Sequence, residues 1–427
     1  MSEYQNADFQ PDQASQTQPA VDTNEYTVII DIGEATTKVG FVGEEPSVFP
    51  TIVGKPKYKN LMQDVAGVVK EVYCGADADN MRGVMKIEYP ISRGAVYNWE
   101  DYFAILNHIF SNVLRVPSMN CHVIYVIHPL TPYETVRYYA DVLFTTHRVK
   151  SVLFVNSVAV SCYSSGITTG LTIEIGEGMT FISPIIKGQI YEPALIKLPL
   201  GNVDITEYLK ALFSHYGIFL NYSAQREILR KIKEEHCRVS LDLAKDTQGT
   251  MVTEYHLPDG DVIKINDYER FNAPEVLFNP TLLGYQFAGI ADSIMTSLMR
   301  ISRDYLRTCL GNIVLSGGGA HLKGLKGRLI KEIDSRLPQL GAIPEPPKEP
   351  ESTQQPTILK EISATANPDQ QKQDEKQQEG PKEKKIMIQA DKPKAKLDNC
   401  PKCGEMIDTS SKFCPFCGAK IEITTIN

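Results

Sequence analysis

The feature that most constrains this chain is a strand–turn–strand pattern that occurs twice. The first copy spans residues 29–43 and reads IIDIGEATTKVGFVG, in which an apolar β-branched run enters a glycine turn and a second β-like run leaves it. The second copy spans residues 171–182 and reads LTIEIGEGMTFI. Each copy places an acidic residue, Asp31 or Glu174, two residues before a glycine. The repeat predicts an internal duplication, with one such hairpin in each of two related lobes.

The hairpins carry chemistry suited to a metal ion and a polyphosphate. Backbone N–H groups in a glycine turn can face an anion. Asp31 can hold Mg²⁺ through water, and Lys38 can reach a phosphate. One such hairpin alone is more often an ordinary sheet edge with solvated charges, so it is the second copy that favours phosphate binding. Two hairpins that face each other from two lobes predict a clamp around the phosphates of a nucleotide.

Length and composition limit the classes of protein open to this chain. Its 427 residues predict two or more domains, and a hydrophobic share of 42% is enough for a sizeable core. A net charge of −8 argues against nucleic acid as a partner of the core. No apolar run approaches the roughly 18 residues of a membrane span, and the N-terminus does not resemble a secretory signal. Five scattered cysteines and one cluster of four favour a reducing, cytoplasmic location.

Changes in composition divide the chain into four segments. Residues 1–24 are polar with few large apolar side chains, which predicts a disordered tail. Residues 25–347 alternate β-like runs with helical stretches, which predicts an α/β fold with mostly parallel sheets. Residues 348–397 are dense in Pro, Gln, Glu and Lys and predict a solvated linker. Residues 398–427 form a small module rich in cysteine.

Hydrophobic periodicity within residues 25–347 places the main elements. The predicted strands are 26–30, 39–42, 121–127, 152–155, 171–175 and 312–315. The predicted helices are 99–114, 131–145, 203–216, 224–241, 288–300 and 322–336.

The C-terminal module contains two Cys-x₂-Cys pairs. The first pair is Cys400 and Cys403, and the second is Cys414 and Cys417. Four thiolates favour tetrahedral Zn²⁺, whereas the alternative of two disulfides is disfavoured in a reducing compartment. Because four protein ligands leave no open coordination position, we expect one structural Zn²⁺ ion in a zinc ribbon. The metal would stabilise a module that is too small to fold on its core alone.

Beyond the hairpins, residues 25–347 resemble the actin family, with motifs that run in the family's order. They include Asp31-x-Gly33, Lys38-x-Gly40-Phe41, Phe49-Pro50-x-Ile52-Val53-Gly54, Tyr89-Pro90-Ile91, Asn98-Trp99, Leu257-Pro258-Asp259-Gly260 and Leu315-Ser316-Gly317-Gly318. The resemblance implies an actin-like ATPase fold, in which two duplicated α/β lobes surround a nucleotide cleft. The fused zinc ribbon is of a prokaryotic style, so the whole chain looks more like an archaeal protein than a eukaryotic actin.

The resemblance also implies a site for ATP or ADP with Mg²⁺. Asp31 and Glu174 would lie beside the magnesium and hold it through water. Gly33 and Lys38 would contact the β- and γ-phosphates. The other implied nucleotide-binding residues are Gly176, Glu177 and Gly178 in the second phosphate hairpin, Arg230, Lys233 and Glu234 beside the adenosine, and Gly317 and Gly318, where the backbone closes against the nucleotide.

The chain departs from the family's pattern at positions that bear on hydrolysis. Glu34 stands where the family has a phosphate-binding serine, and a carboxylate near a γ-phosphate costs electrostatic energy unless it turns away or meets the metal. Ser157 and Phe181 stand where the family has its water-positioning glutamine and histidine. Loss of both groups predicts slow or absent hydrolysis, and no residue is assigned as catalytic. Arg93 replaces a family histidine near the phosphates.

Two functions remain open from the sequence. The first is an ATP-binding, actin-like protein of the cytoplasm and cytoskeleton that forms or joins filaments, with itself or other actin-family subunits, and whose zinc ribbon is a partner-binding module. Residues 58–72 and 277–289 would then be the family's inter-subunit loop and its plug at the filament axis. The second is a non-polymerising, actin-related scaffold whose zinc ribbon binds protein or nucleic acid. It is favoured by Glu34, Ser157 and Phe181, and by the lack, after Pro347, of the segment that completes the family's first lobe. The sequence does not identify the ribbon's partner.

Overall fold

A computed structural model describes residues 24–57, 71–218, 223–257, 260, 262–341, 397–399 and 406–408. The chain divides into two compact units, Met1–Pro350 and Glu351–Asn427. Several predicted features lie outside the described residues, namely residues 1–23 of the tail, most of the inter-subunit loop, nearly all of the linker, and the four clustered cysteines.

The first unit contains most of the regular structure. Its strands are β1 (Tyr26–Ile32), β2 (Thr36–Phe41), β3 (Ser47–Pro50), β4 (Val53–Pro56), β5 (Tyr73–Cys74), β6 (Met85–Glu88), β7 (Ile91–Ser92), β8 (Ala95–Val96), β9 (Cys121–Ile127), β10 (Ser151–Asn156), β11 (Gly170–Ile175), β12 (Thr180–Ile186), β13 (Gln189–Ile190), β14 (Ile196–Leu198), β15 (Val252–His256), β16 (Val262–Asn266) and β17 (Ile313–Ser316). Its α-helices are α1 (Ala76–Asn80), α2 (Trp99–His108), α3 (Tyr133–Thr145), α4 (Ser157–Ser164), α5 (Asn202–His215), α6 (Ser223–His236), α7 (Leu243–Asp246), α8 (Asp267–Asn272), α9 (Ile290–Arg300), α10 (Arg303–Gly311) and α11 (Leu325–Arg336). In the second unit, β18 (Leu397–Asn399) pairs with β19 (Met406–Asp408) in the antiparallel sense.

Two five-stranded sheets repeat one arrangement. The first sheet has the order β10-β9-β1-β2-β3, and the second has the order β13-β12-β11-β17 with β14 beside β12. In each sheet a hairpin, β1–β2 or β11–β12, lies next to a parallel strand from later in the chain, β9 or β17. The duplication predicted from the repeated stretch is therefore present in the fold.

The expectation of mostly parallel sheets is wrong. In the first sheet β1–β9 and β9–β10 are parallel, and in the second only β11–β17 is parallel among the pairs of described strands. The remaining neighbours in both sheets are antiparallel. The reason is local, because each repeated stretch forms a hairpin, and a hairpin joins its strands in the antiparallel sense.

Each lobe has its own hydrophobic core. In the first, β1 buries Val28 and Ile30 on one face. On the other face of this sheet Ile29 and Leu153 are 38% and 58% exposed, so an apolar surface stays accessible there. In the second lobe every residue of β11 is buried, which is typical of a strand covered on both faces. The first lobe is therefore the less completely covered of the two.

The predicted helix 224–241 is wrong at its C-terminal end, since α6 ends at His236. The amphipathic pattern continues beyond that point, but the backbone makes other hydrogen bonds. The Arg238 N–H donates to the Arg270 carbonyl at 3.0 Å, and the Val239 N–H donates to the Lys323 carbonyl at 2.8 Å. These tertiary bonds satisfy the backbone, so the helix need not continue. The predicted helix 99–114 is helical throughout, with a π-helical segment at Ile109–Leu114 after α2.

Among the helices within the described ranges, none combines the length and the apolar character that a membrane span requires.

Candidate functional site

A cavity of about 640 Å³ lies between the two hairpins. Its volume is within the range of about 300–1,000 Å³ that is usual for ligand pockets. All twelve residues assigned to nucleotide binding from the sequence line this cavity, although they come from β1, β2, β11, α6 and the turns that follow β1, β11 and β17. The structure thus brings the predicted site residues together, while their contact with a nucleotide stays a prediction.

The first hairpin presents an acid and a base side by side. Asp31 and Lys38 are paired across β1 and β2, and Lys38 Nζ lies 3.4 Å from Asp31 Oδ2. The Lys38 side chain is 53% exposed, so it is free to leave this weak pair for a phosphate. In the turn between the strands, the Gly33 N–H donates to the Thr36 carbonyl, and a Cβ on Gly33 would lie 2.9 Å from that oxygen. The turn therefore requires glycine.

The second hairpin buries its acid. Burial raises the pKa of Glu174 to about 7, and the negative charge of Asp31 acts in the same direction. Glu174 Oε2 is inaccessible to water and has no hydrogen-bond partner. An unpaired buried carboxylate oxygen beside a second carboxylate fits a hard cation.

Asp31 and Glu174 are therefore the residues that would hold Mg²⁺. No cluster of three or more metal-ligating side chains occurs among the described residues, so water and phosphate oxygens would complete the coordination shell. When bound, the ion would neutralise charge on the phosphates.

The buried carboxyl of Glu174 predicts a pH dependence of stability. The pKa of Glu174 is higher in the folded state than its ordinary value of 4.5. Between these two values the folded chain holds a proton that the unfolded chain has lost. This proton stabilises the folded state, and the stabilisation is lost as pH rises through about 7. Without metal or nucleotide, this group should lower the free energy of unfolding by about 1.4 kcal/mol between pH 6 and pH 8. Urea denaturation at the two pH values measures the change.

Glu174→Gln is the control for that prediction, because it removes the titrating group. Burial lowers the pKa of His128, His147 and His236, and these groups change stability in the opposite direction. The difference between wild type and Glu174→Gln isolates the carboxyl. Equal pH dependence in the two proteins would contradict the prediction.

The side chain of Glu34 extends from the turn of the first hairpin across the cleft to the second hairpin. It accepts a hydrogen bond from the Gly94 N–H at 3.3 Å, and its carboxylate lies where a Cβ on Gly178 would be. Burial raises the pKa of Glu34, and the nearby charge of Glu177 adds to the rise. The carboxylate therefore lies in the cavity between the two hairpins, and its arrangement toward a bound γ-phosphate or metal ion stays a prediction.

The adenosine end of the predicted site is built by α6. Lys233 is almost fully buried and donates to the Asn202 carbonyl at 3.0 Å, and burial lowers its pKa. It therefore ties α6 to the start of α5. Arg230 forms ion pairs with Glu227 and Glu234 on the same helix. Gly317 has φ of +80°, and a Cβ there would overlap the Ile175 carbonyl, so glycine is required where the backbone closes the cavity.

A salt bridge that the sequence does not predict joins the two lobes. Arg93 lies in the two-residue turn between β7 and β8, and its Nη1 and Nη2 atoms each lie 2.7 Å from the Asp204 carboxylate. Asp204 is fully buried at the start of α5, and it also accepts from the Gly201 N–H and the Tyr285 hydroxyl. Arg93 Nη1 further donates to the Gly178 carbonyl at 3.0 Å. The turn is thereby fastened to the second phosphate hairpin.

His128 is a cavity residue that is not among those predicted from the sequence. It directly follows β9, and its ring stacks on Phe181 with centroids 5.5 Å apart and planes at 16°. Its Nδ1 atom lies 3.7 Å from Glu174 Oε1. The signal that could have found it is its position, since functional side chains often follow the carboxyl ends of parallel strands.

The paired sheets, repeated hairpins and intervening cleft define an actin-like ATPase fold. Residues 23–348 match the family model for actin, and residues 399–421 match that for a zinc-ribbon domain. This chain therefore belongs to the actin family and carries a zinc-ribbon domain near its C-terminus. Both assignments agree with the resemblance found in the sequence.

Two relatives show the degree of similarity. The chain is 32% identical over 318 residues to centractin of Saccharomyces cerevisiae, covering 72% of this chain and 82% of the relative. It is 32% identical over 320 residues to actin-related protein 2 of Arabidopsis thaliana, covering 73% and 82%.

Proposed function

We propose that this chain binds ATP or ADP with Mg²⁺ between its two hairpins and assembles into filaments, alone or with other actin-family subunits, in the cytoplasm. The observation that carries the proposal is that twelve residues chosen from sequence line one cavity of about 640 Å³. The unpaired Glu174 Oε2 beside Asp31 supports a place for the cation. Membership of the actin family supports the cytoskeletal role.

Sedimentation of the full chain tests assembly. Purified protein is centrifuged with Mg·ATP and, in parallel, after removal of nucleotide and chelation of the metal. We expect a pellet that depends on Mg·ATP, because closing of the lobes on the nucleotide would fix the surfaces that meet in a filament. A protein that stays monomeric in both conditions, while binding nucleotide, would contradict the filament proposal.

A second candidate function has its own observation in its favour. Ile29 lines the cavity, but Leu153 and Val48 on the same face of the first sheet are each 58% exposed and lie outside the residues that line it, and exposed apolar surface is typical of partner sites. In this candidate the chain does not polymerise, another subunit covers that surface, and a structural Zn²⁺ held by the four clustered cysteines shapes a module for protein or nucleic-acid partners. Nucleotide-bound monomers in the sedimentation experiment, together with capture of a partner that is lost in Cys400→Ser, would favour it.

A further inference from the structure

We propose that His128 positions the water molecule that attacks the γ-phosphate, so that this chain hydrolyses the ATP it binds. The proposal rests on the nucleotide binding proposed above. It differs from the expectation drawn from Ser157 and Phe181, because the structure brings an imidazole from the end of β9 against the Phe181 ring and beside Ser157.

Strand register places His128 at the edge of the sheet that carries the first hairpin turn. Ile30 of β1 is opposite Tyr125 of β9, so the residue after β9 lies level with the turn that follows β1. Asn156 of β10 is opposite Ile127, so Ser157 emerges beside His128. The side chains at these strand ends face the cavity, which both residues line.

Unpaired polar atoms are concentrated at this point. Among the described residues, His128 Nδ1, Glu174 Oε2 and Ser316 Oγ are buried without a hydrogen-bond partner, and the buried Ser157 hydroxyl lies close enough to the Glu174 carboxyl to lower its pKa. Ser316 is opposite Glu174 in the β11–β17 ladder, and His128 Nδ1 lies 3.7 Å from the same carboxyl. Buried polar groups without partners are rare, and a group of them indicates a place that holds water or a polar ligand.

The neighbours of His128 place this water next to the phosphates. Asp31 is the residue after Ile30, which is opposite Tyr125 of β9, so Asp31 and the turn after it lie at the same end of the sheet as His128. Asp31 is paired with Lys38 across the hairpin. Asp31 and Lys38 are the residues of the first hairpin proposed to hold the metal and the phosphate. A water bound to the imidazole would thus lie beside the terminal phosphate.

Phe181 holds the imidazole in place. It is opposite Glu174 in the β11–β12 hairpin, and its ring stacks on that of His128. A stacked ring restricts rotation of the imidazole and excludes solvent from one of its faces. Phe181 is therefore a positioning residue, which acts through His128.

The reaction is hydrolysis of ATP to ADP and phosphate. The water oxygen forms a bond to the γ-phosphorus, and the bond from that phosphorus to the β–γ bridging oxygen breaks. The electron pair of the broken bond stays on the terminal oxygen of ADP, and the proton that the water loses leaves with the phosphate product and solvent. Because phosphoryl transfer depends on alignment of the attacking water, an imidazole that orients it accelerates the step.

Three variants of the full chain test the proposal. His128→Leu removes the hydrogen-bonding atoms, His128→Gln supplies an amide that can still orient water, and His256→Gln on β15 is the control because His256 is exposed and outside the residues that line the cavity. Single-turnover phosphate release measures hydrolysis. Equilibrium titrations measure binding of ATP and of ADP with aluminium fluoride, which mimics the transferring phosphate.

We expect His128→Leu to bind ATP within about threefold of wild type and to release phosphate about 100-fold more slowly. Its binding of ADP with aluminium fluoride should weaken at least about tenfold, while His128→Gln recovers most of both losses. His256→Gln should match wild type. The recovery in His128→Gln separates water positioning from a merely structural role, and it remains measurable if the leucine variant does not fold.

Three results would overturn the proposal. Unchanged phosphate release in His128→Leu, or equal losses in the leucine and glutamine variants, would show that the imidazole does not orient the water. Wild-type protein that binds ATP and releases no phosphate would overturn the proposal while leaving the proposed nucleotide binding intact. Wild-type protein that binds no nucleotide would overturn both.

Discussion

Replacing Arg93 with alanine is expected to lower the free energy of unfolding by about 3 kcal/mol, because it leaves the buried Asp204 carboxylate without its charged partner. Removal of one partner from a buried pair costs about 3–5 kcal/mol, and the low end applies here since the Arg93 side chain is 35% exposed to water. The Gly201 N–H and the Tyr285 hydroxyl would remain as the carboxylate's hydrogen-bond donors.

Urea denaturation of the nucleotide-free chain measures this loss. Arg300→Ala is the matched control, because Arg300 is an exposed arginine at the end of α9 and its removal should change stability by less than about 0.5 kcal/mol. Arg93→Lys should lie between wild type and Arg93→Ala, since an ammonium keeps the charge but cannot form the two-pronged contact. A loss below about 1 kcal/mol in Arg93→Ala would show that the salt bridge does not stabilise the fold.

Lys38→Ala is expected to weaken binding of Mg·ATP by about 10–100-fold, which corresponds to loss of one charged hydrogen bond. The stability of the nucleotide-free chain should hardly change, because the contact of Lys38 with Asp31 is long and exposed. Separation of these two effects identifies a binding residue, since a structural residue would change both.

Titration of purified, nucleotide-free protein with Mg·ATP gives the affinity of each variant. Lys86→Ala is the control, as Lys86 is 73% exposed and pairs only with Glu88 among the ion pairs recorded in the described part of the chain. If Lys38→Ala bound Mg·ATP with the same affinity as wild type, the phosphates would not reach the first hairpin.

The repeated hairpins are the part of the fold that local sequence could predict. The glycine turn between two β-like runs predicted the first hairpin, and the structure adds that Asp31 and Lys38 are opposite each other across it. The spacing of acid and glycine recurs at Glu174 and Gly176, where Phe181 takes the position that Lys38 has in the first hairpin. Because these features depend on residues close together in the chain, alternation and glycine placement were sufficient to find them. The two Cys-x₂-Cys pairs are local in the same way, and the zinc-ribbon match agrees with them.

Contacts between distant residues could not be predicted in this way. Arg93 and Asp204 meet across the cleft although 111 positions separate them, and no local pattern marks either as the partner of the other. His128 stacks on Phe181 although it follows β9 and Phe181 lies on β12, which belong to different sheets. The end of α6 at His236 also depends on distant residues, because the backbone just after it donates hydrogen bonds to the carbonyls of Arg270 and Lys323. These bonds override the amphipathic pattern, which continues beyond His236.

Isothermal titration calorimetry of Mg·ATP binding to the full, nucleotide-free chain tests the central claim most directly. We predict one nucleotide per chain and an affinity that falls when Mg²⁺ is chelated, because Asp31 and Glu174 would then lose the ion they hold for the phosphates. A folded protein that takes up no nucleotide at millimolar ATP would contradict the claim that this cleft is a nucleotide site.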